Sequence, residues 1–239
     1  MVFTDNVHDF DSSIDVWERL YNIVYCDVFG DLFNFKDRSD SETSERCKRL
    51  YIKIDRYKQP DLAEKYPKFK MAGDCIFNFN EKKIAMFSEL VGGDNELLMI
   101  CKNNHHSLLN FSFMPITGGL NNTKGILRCE NGIEKKSFDR PDVLIAELKK
   151  YYSKEPTRIF RKTNRAALIW YLDLFAERGI AGYCEDIYFI NDENMLQRFL
   201  DLAKKPICDC DTAIEYMTLA CDYWKMKKAR LLTYGISNF

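Results

Sequence analysis

The sequence predicts an α+β fold dominated by helix: a mixed N-terminal half with short strands and a hairpin near 110–130, then a helical C-terminal half. Three observations predict it. Alternating apolar runs such as LYIKIDRY and NFSF lie before residue 130. Beyond Asp139 the apolar residues recur instead at helical spacing. No internal repeat and no linker rich in Pro, Gly or Ser divides the chain, so one domain over residues 1–239 is expected.

The elements follow in order. Ser12 or Ser13 caps a helix to about residue 25, with Ile14, Trp17, Leu20, Tyr21 and Val24 on one face. Residues 37–49, DRSDSETSERCKR, read as a polar surface loop. In LYIKIDRY, Leu50, Ile52 and Ile54 alternate with Tyr51, Lys53 and Asp55, the pattern of a strand with one wet face. Pro60 and Pro67 bracket a helical turn, and DCIFNF is a second strand candidate. Residues 81–91 and 96–103 read as helices parted by the turn GGDN. Phe111, Phe113 and Ile116 then alternate, with ILRCE as the returning arm of a hairpin.

In the second half, Asp139 is a candidate cap with Pro141 in the first turn, and Val143, Leu144, Ala146, Leu148 and Tyr151 share a face. A helix over 164–178 stops at Gly179 and is apolar almost all round, which places it in the middle of the fold. YCEDIYFI fits either a buried strand or a helix. Helices over 193–204 and 211–232 close the chain.

Hydrophobic residues make up 46% and charged residues 30%, and 33 aromatic side chains (17 Phe, 13 Tyr, 3 Trp) can fill a large core. With a net charge of −1, no global field draws the chain to nucleic acid or an anionic membrane. The nine cysteines are scattered, and the N-terminal MVFTDNVHDFD is acidic, without a basic leader or apolar run. Free thiols in a reducing cytoplasm are therefore expected. No apolar run reaches the roughly 18–20 residues of a membrane span, so no membrane partner is expected.

The segment NFSFMPITGGLNNTKG, 110–125, resembles a device. Thr117, Gly118, Gly119 and Lys124 offer flexible backbone and a charge to an anion. In phosphate-cradling loops, however, the lysine follows the glycines and a helix comes next; here Lys124 precedes Gly125 and strand-like ILRCE follows. A hairpin turn with Asn121 and Asn122 at positive φ accounts for the same residues. Both readings stand at this level.

KKYYSKEPTRIFRKTNR, 149–165, concentrates Lys149, Lys150, Lys154, Arg158, Arg161, Lys162 and Arg165 around Tyr151, Tyr152 and Phe160. Basic groups neutralise phosphates and aromatic rings stack on bases, so nucleic acid is a candidate partner; a solvated connection between helices is the alternative. Asp173 in WYLDLF, and Glu185 with Asp186 in GYCEDIYF, are acids in apolar company. Each is either a carboxylate in a cleft or tied to an arginine such as Arg165 or Arg178.

Cys101 and His105 share a helix face at a spacing zinc accepts, and Cys208 and Cys210 could complete four ligands. Nothing local forces those four together, and no CxxC pair exists, so no metal and no cofactor are expected. Asp142, Glu147 and Lys149 superficially match a nuclease set, but the acids lie about 140° apart around one helix and cannot converge on a cation.

NFSFMPITGGLNNTKG, FDRPDVLIAELKKYY, YLDLF and GIAGYCEDIYF, in that order, resemble a family of intracellular bacterial and mobile-element proteins, a domain of unknown function. The resemblance spans about residues 101–189. It rests on Asn110-Phe111 with Pro115, Asp139-Arg140 with Asp142, and Gly182-Tyr183 with Asp186; Pro141 stands where an aromatic residue is expected. It implies a prokaryotic or phage setting and no catalytic residues.

Two functions follow. The first is an intracellular binding protein whose partner, a protein or an anionic ligand, meets the 117–125 loop or the basic segment at Arg158, Arg161 and Lys162. The second is an enzyme on a phosphorylated or nucleotide substrate, with His106 as acid–base and Asp173 or Asp186 binding metal or orienting it.

Overall fold

The structure, a computed structural model, describes residues 20–34, 52–116, 140–160 and 165–237. Among them the expected helix-dominated α+β architecture holds: helices prevail over two small antiparallel sheets of two strands each. The loop residues Thr117, Gly118, Gly119 and Lys124, the basic residues Arg161 and Lys162, and the returning arm ILRCE lie outside the described residues.

The first helix runs past residue 25. A π-helical turn, Tyr21–Tyr25, leads into α1, Cys26–Phe29. Its buried Tyr21, Val24, Tyr25 and Phe29 press on the core. Strand β1, Phe33–Asn34, then pairs with β2, Lys53–Ile54, inside the alternating run. Helix α2, Pro60–Lys65, follows with proline in its first turn.

The second sheet joins β3, Met71–Cys75, to β4, Phe111–Pro115, with Gly73 opposite Phe113. Strand β3 thus begins three residues ahead of the expected DCIFNF. Ile76 and Phe77 leave it because their amides are taken by the Asn110 carbonyl and side chain. The two helices expected between these strands are present as α3, Glu81–Val91, and α4, Glu96–Asn104. Each is capped by an asparagine, Asn80 and Asn95, accepting from the third residue of its helix.

In the C-terminal half, α5 is Pro141–Tyr152, α6 is Arg165–Asp173 and α7 is Gly179–Tyr188. Helix α8 is Glu193–Leu202 and α9 is Cys210–Thr233. YCEDIYFI is therefore helical through Tyr188. The expected 164–178 helix ends early at Asp173. Leu174, Phe175, Ala176 and Arg178 then donate three residues back, in tight turns, until Gly179 at φ +58° starts α7. Nor is α6 buried all round: Ala167, Leu168, Tyr171 and Leu172 face inward while Asp173 is exposed.

Helix α9 packs on α3, α4 and α8; α5 packs on α7 and α8; α7 also lies on β4. Where these meet, Phe77 has Phe199, Tyr216, Tyr223 and Trp224 around it at 5.4–6.0 Å. Such pairs add about 0.5–1.5 kcal/mol each beyond their burial. Asn110 is a polar residue buried in this core. Asn110 Oδ1 accepts from Phe77 N–H (3.0 Å) and Trp224 Nε1–H (3.2 Å), while Nδ2 donates to Phe77 O (2.7 Å) and His105 O (2.8 Å). All four hydrogen-bonding positions are used, so burying this amide leaves no unpaired group.

Candidate functional site

The candidate residues His106, Asp173 and Asp186 are not brought together. His106 is exposed at the end of α4, where its ring lies 4.3 Å from that of His105. Asp173, exposed at the end of α6, accepts a 2.7 Å hydrogen bond from the Tyr151 hydroxyl. Asp186 binds the Arg178 guanidinium. Nor do the four candidate zinc ligands gather: Cys101 is buried between α4 and α9, His105 Nδ1 accepts from Phe79 N–H at 3.3 Å, and Cys208 and Cys210 are exposed. Among the described residues, no three His, Cys, Asp or Glu side chains are grouped to hold a metal.

Within the described part of the basic segment, Lys150 and Arg158 are anchored to one carboxylate. Glu147, on α5 with only 2% of its side chain exposed, accepts from Lys150 Nζ at 2.8 Å and Arg158 at 3.1 Å. It also takes the Arg158 backbone N–H at 2.7 Å and the Thr157 hydroxyl at 3.2 Å. Burial alone would raise its pKa, but these donors prevail and hold it at about 2. The aromatic rings are engaged as well. The Tyr152 hydroxyl donates to Leu172 O at 3.0 Å, and Phe160 sits between Tyr151 and the Arg165 guanidinium. Tyr151, Tyr152 and Phe160 thus serve packing between α5 and α6, and a base-stacking platform finds no support in them.

Asp142, at the start of the same helix, is structural too. Asp142 (0% exposed) pairs with Arg140 (3%) through Nε at 2.9 Å and a terminal nitrogen at 2.6 Å. The same guanidinium donates to Leu202 O and Lys205 O, fastening the start of α5 to the end of α8.

What the fold does assemble is a cleft of about 240 Å³. Val24, Asp27 and Val28 of the π-turn and α1 form one wall. Leu174, Phe175 and Arg178 come from the turns after α6; Glu185, Asp186 and Phe189 come from α7 and its end; Arg230 and Tyr234 come from the end of α9. Arg230 and Tyr234 also line a shallower hollow of about 380 Å³ with Asn191 and Met226, so the two are neighbours along α9. The base of the cleft is apolar and its rim is charged.

The rim has a definite order. Arg178 binds Asp186 and reaches Glu185 at 3.4 Å; Arg230 reaches the other Glu185 oxygen at 3.5 Å. The bond to Asp186 raises the Arg178 pKa further. Arg178 can cross α7 only because residue 182 is glycine: a Cβ there would stand 2.4 Å from the Arg178 Cβ. Asp27 is exposed, and among the described residues its carboxylate meets only the adjacent Cys26 thiol, at 3.7 Å. Phe189, closing α7 at φ +62°, adopts a left-handed conformation costing roughly 1–2 kcal/mol for a residue with a Cβ. Tyr25 at 5.7 Å and the Lys227 ammonium at 5.3 Å hold its ring.

Of the sequence candidates, Glu185 and Asp186 line this cleft, and both meet Arg178, the arginine offered as one of their two readings. Asp27, Arg230 and Tyr234 carried no local signal: no spacing in the sequence says that the first and last described helices share a wall. Comparison with family models, with curated proteins and with solved structures finds no match.

Proposed function

We propose that the chain is a binding protein whose cleft at Asp27, Arg178, Asp186 and Arg230 receives a cationic side chain from a partner protein. The charge inventory of the rim carries the reading. Three carboxylates, Asp27, Glu185 and Asp186, face two guanidiniums, Arg178 and Arg230. The two arginines engage Glu185 and Asp186, which leaves Asp27 as the carboxylate to be matched from outside. A lysine or arginine suits such a site, because its aliphatic stem can lie along Val24, Val28 and Leu174 while its head meets Asp27. An anionic ligand would instead have to displace Glu185 or Asp186 from arginines already paired. The acid–base reading has His106, Asp173 and Asp186 apart and gains no support from this geometry.

The test is selection of a random peptide display library on the full chain, with counter-selection on Asp27→Asn. The expected outcome is enrichment of sequences with Lys or Arg beside apolar residues, weakened at least tenfold on Asp27→Asn and falling with salt. Enrichment of acidic peptides, or equal retention by Asp27→Asn, would sink the proposal.

A further inference from the structure

Cys208 and Cys210 flank Asp209, the residue that caps α9. Among the described cysteines they are the two exposed ones; Cys26 and Cys75 are half-buried, and Cys101, Cys184 and Cys221 are buried. Asp209 is extended, with φ −139° and ψ 177°. An extended residue sends the side chains before and after it to the same face of the chain. The step of backbone that carries the two thiols is also held firmly. The Asp209 carboxylate accepts the Thr212 N–H at 2.9 Å and the Thr212 hydroxyl at 2.7 Å. The Thr212 hydroxyl oxygen in turn accepts the Cys208 N–H at 3.2 Å and the Asp209 N–H at 3.3 Å. Backbone fixed in this way has little left to order when a ligand arrives.

We infer that Cys208 and Cys210 form a two-thiolate site for a soft monovalent metal ion, copper(I). Thiolate sulfur selects soft ions, which sets the class. The number of ligands narrows it. A structural zinc takes four ligands, and among the described residues no third His, Cys, Asp or Glu side chain joins these two in a metal-holding group. Copper(I), with a filled d shell, is stable between two sulfurs in line and needs no more.

Distance separates an ion from a crosslink. Two extended rises of ~3.3 Å set the Cα atoms of Cys208 and Cys210 about 6.6 Å apart. Metal–thiolate bonds of ~2.3 Å, the zinc value, place two sulfurs roughly 4.6 Å apart across a linear ion, a gap that side chains converging from that spacing can span. A disulfide needs sulfurs ~2.0 Å apart and Cα atoms typically about 5.5–6 Å apart. Reaching it would bend Asp209 out of its extended conformation and break the cap. Charge agrees with the ion. Each thiol releases a proton to solvent, no electron moves, and two thiolates with one monovalent cation keep one net negative charge. That charge lies at the N-terminus of a 24-residue helix, where the helix dipole favours an anion. The Cys208 thiol meets the Asp209 carboxylate at 3.9 Å, a weak contact that the metal bond replaces.

The experiment uses the full chain, reduced and desalted without oxygen, then titrated against the coloured copper(I)–bicinchoninate complex with ascorbate present. Transfer of one copper ion per chain is expected, with X-ray absorption showing two sulfur neighbours around it. Cys208→Ser and Cys210→Ser are each expected to weaken retention by more than about a hundredfold, the upper range for losing a group that merely supports a ligand. Both positions are exposed, so an unchanged Tm is expected to show each variant folded. Cys26→Ser combined with Cys75→Ser is expected to retain copper as the wild type does. Absence of transfer to the wild type would overturn the inference. So would undiminished retention by Cys208→Ser or Cys210→Ser, or three or more sulfur neighbours around the metal.

Discussion

The Arg178 side chain lies over Gly182 so closely that a single added carbon at position 182 would stand 2.4 Å from the Arg178 Cβ. A helix position four residues on normally tolerates alanine and gains about 1 kcal/mol from it. Here the reverse is expected. Gly182→Ala should displace Arg178 from Asp186, cost about 1–3 kcal/mol in urea unfolding through overpacking, and weaken peptide binding at the cleft. A neutral or stabilised variant would show that the guanidinium has another route across α7.

Glu147 gives an acid-side prediction. Its folded pKa of about 2 lies below the ordinary value of 4.5, so the folded state binds the proton less readily than the unfolded chain. The stabilisation is complete above pH 4.5 and lost as pH falls from there to about 2. Glu147→Gln should cost about 2 kcal/mol at neutral pH by removing the charged acceptor of Lys150 and Arg158. The difference between variant and wild type should shrink in melts taken toward pH 2.

Lys227 gives the opposite slope. The side chain is fully buried, its ammonium donates to Phe111 O and lies over Phe189, and burial lowers its pKa from 10.5 to about 7. The unfolded chain therefore holds a proton that the folded protein gives up between pH 7 and 10.5. The cost of burying the charge is full below pH 7 and fades as pH rises. Lys227→Met should be more stable than wild type by a few kcal/mol (about 1.4 per pK unit shifted, less the lost hydrogen bond) at pH 6. That advantage should decline toward pH 10, measured by paired urea unfolding curves. A pH-independent difference would place the ammonium in a solvated setting.

The buried pair of Arg140 and Asp142 should behave asymmetrically. Asp142→Ala leaves a guanidinium uncompensated and is expected to cost about 3–5 kcal/mol. Arg140→Met with Asp142→Leu removes both charges and should recover most of that loss, although the ties to Leu202 O and Lys205 O go with the arginine. A double variant as unstable as Asp142→Ala would assign the stability to those carbonyl contacts instead.

By itself the sequence determined the local elements. Helical spacing and the asparagines before residues 81 and 96 are decided by neighbours a few positions away. It also narrowed Asp186 to a cleft carboxylate or an arginine partner, and the structure shows Asp186 in both settings. Its errors came where a distant contact outweighed a local pattern. β3 ends at Cys75 because Asn110 claims the following amides, and α6 breaks at Asp173 where the chain turns into α7. Tertiary structure alone decided that Asp27 and Arg230 line one cleft, that Glu147 anchors Arg158 and that Cys101 packs against α9. Charges and thiols carry no periodicity, and which of them become neighbours depends on how helices far apart in the chain stack to bury their aromatic faces.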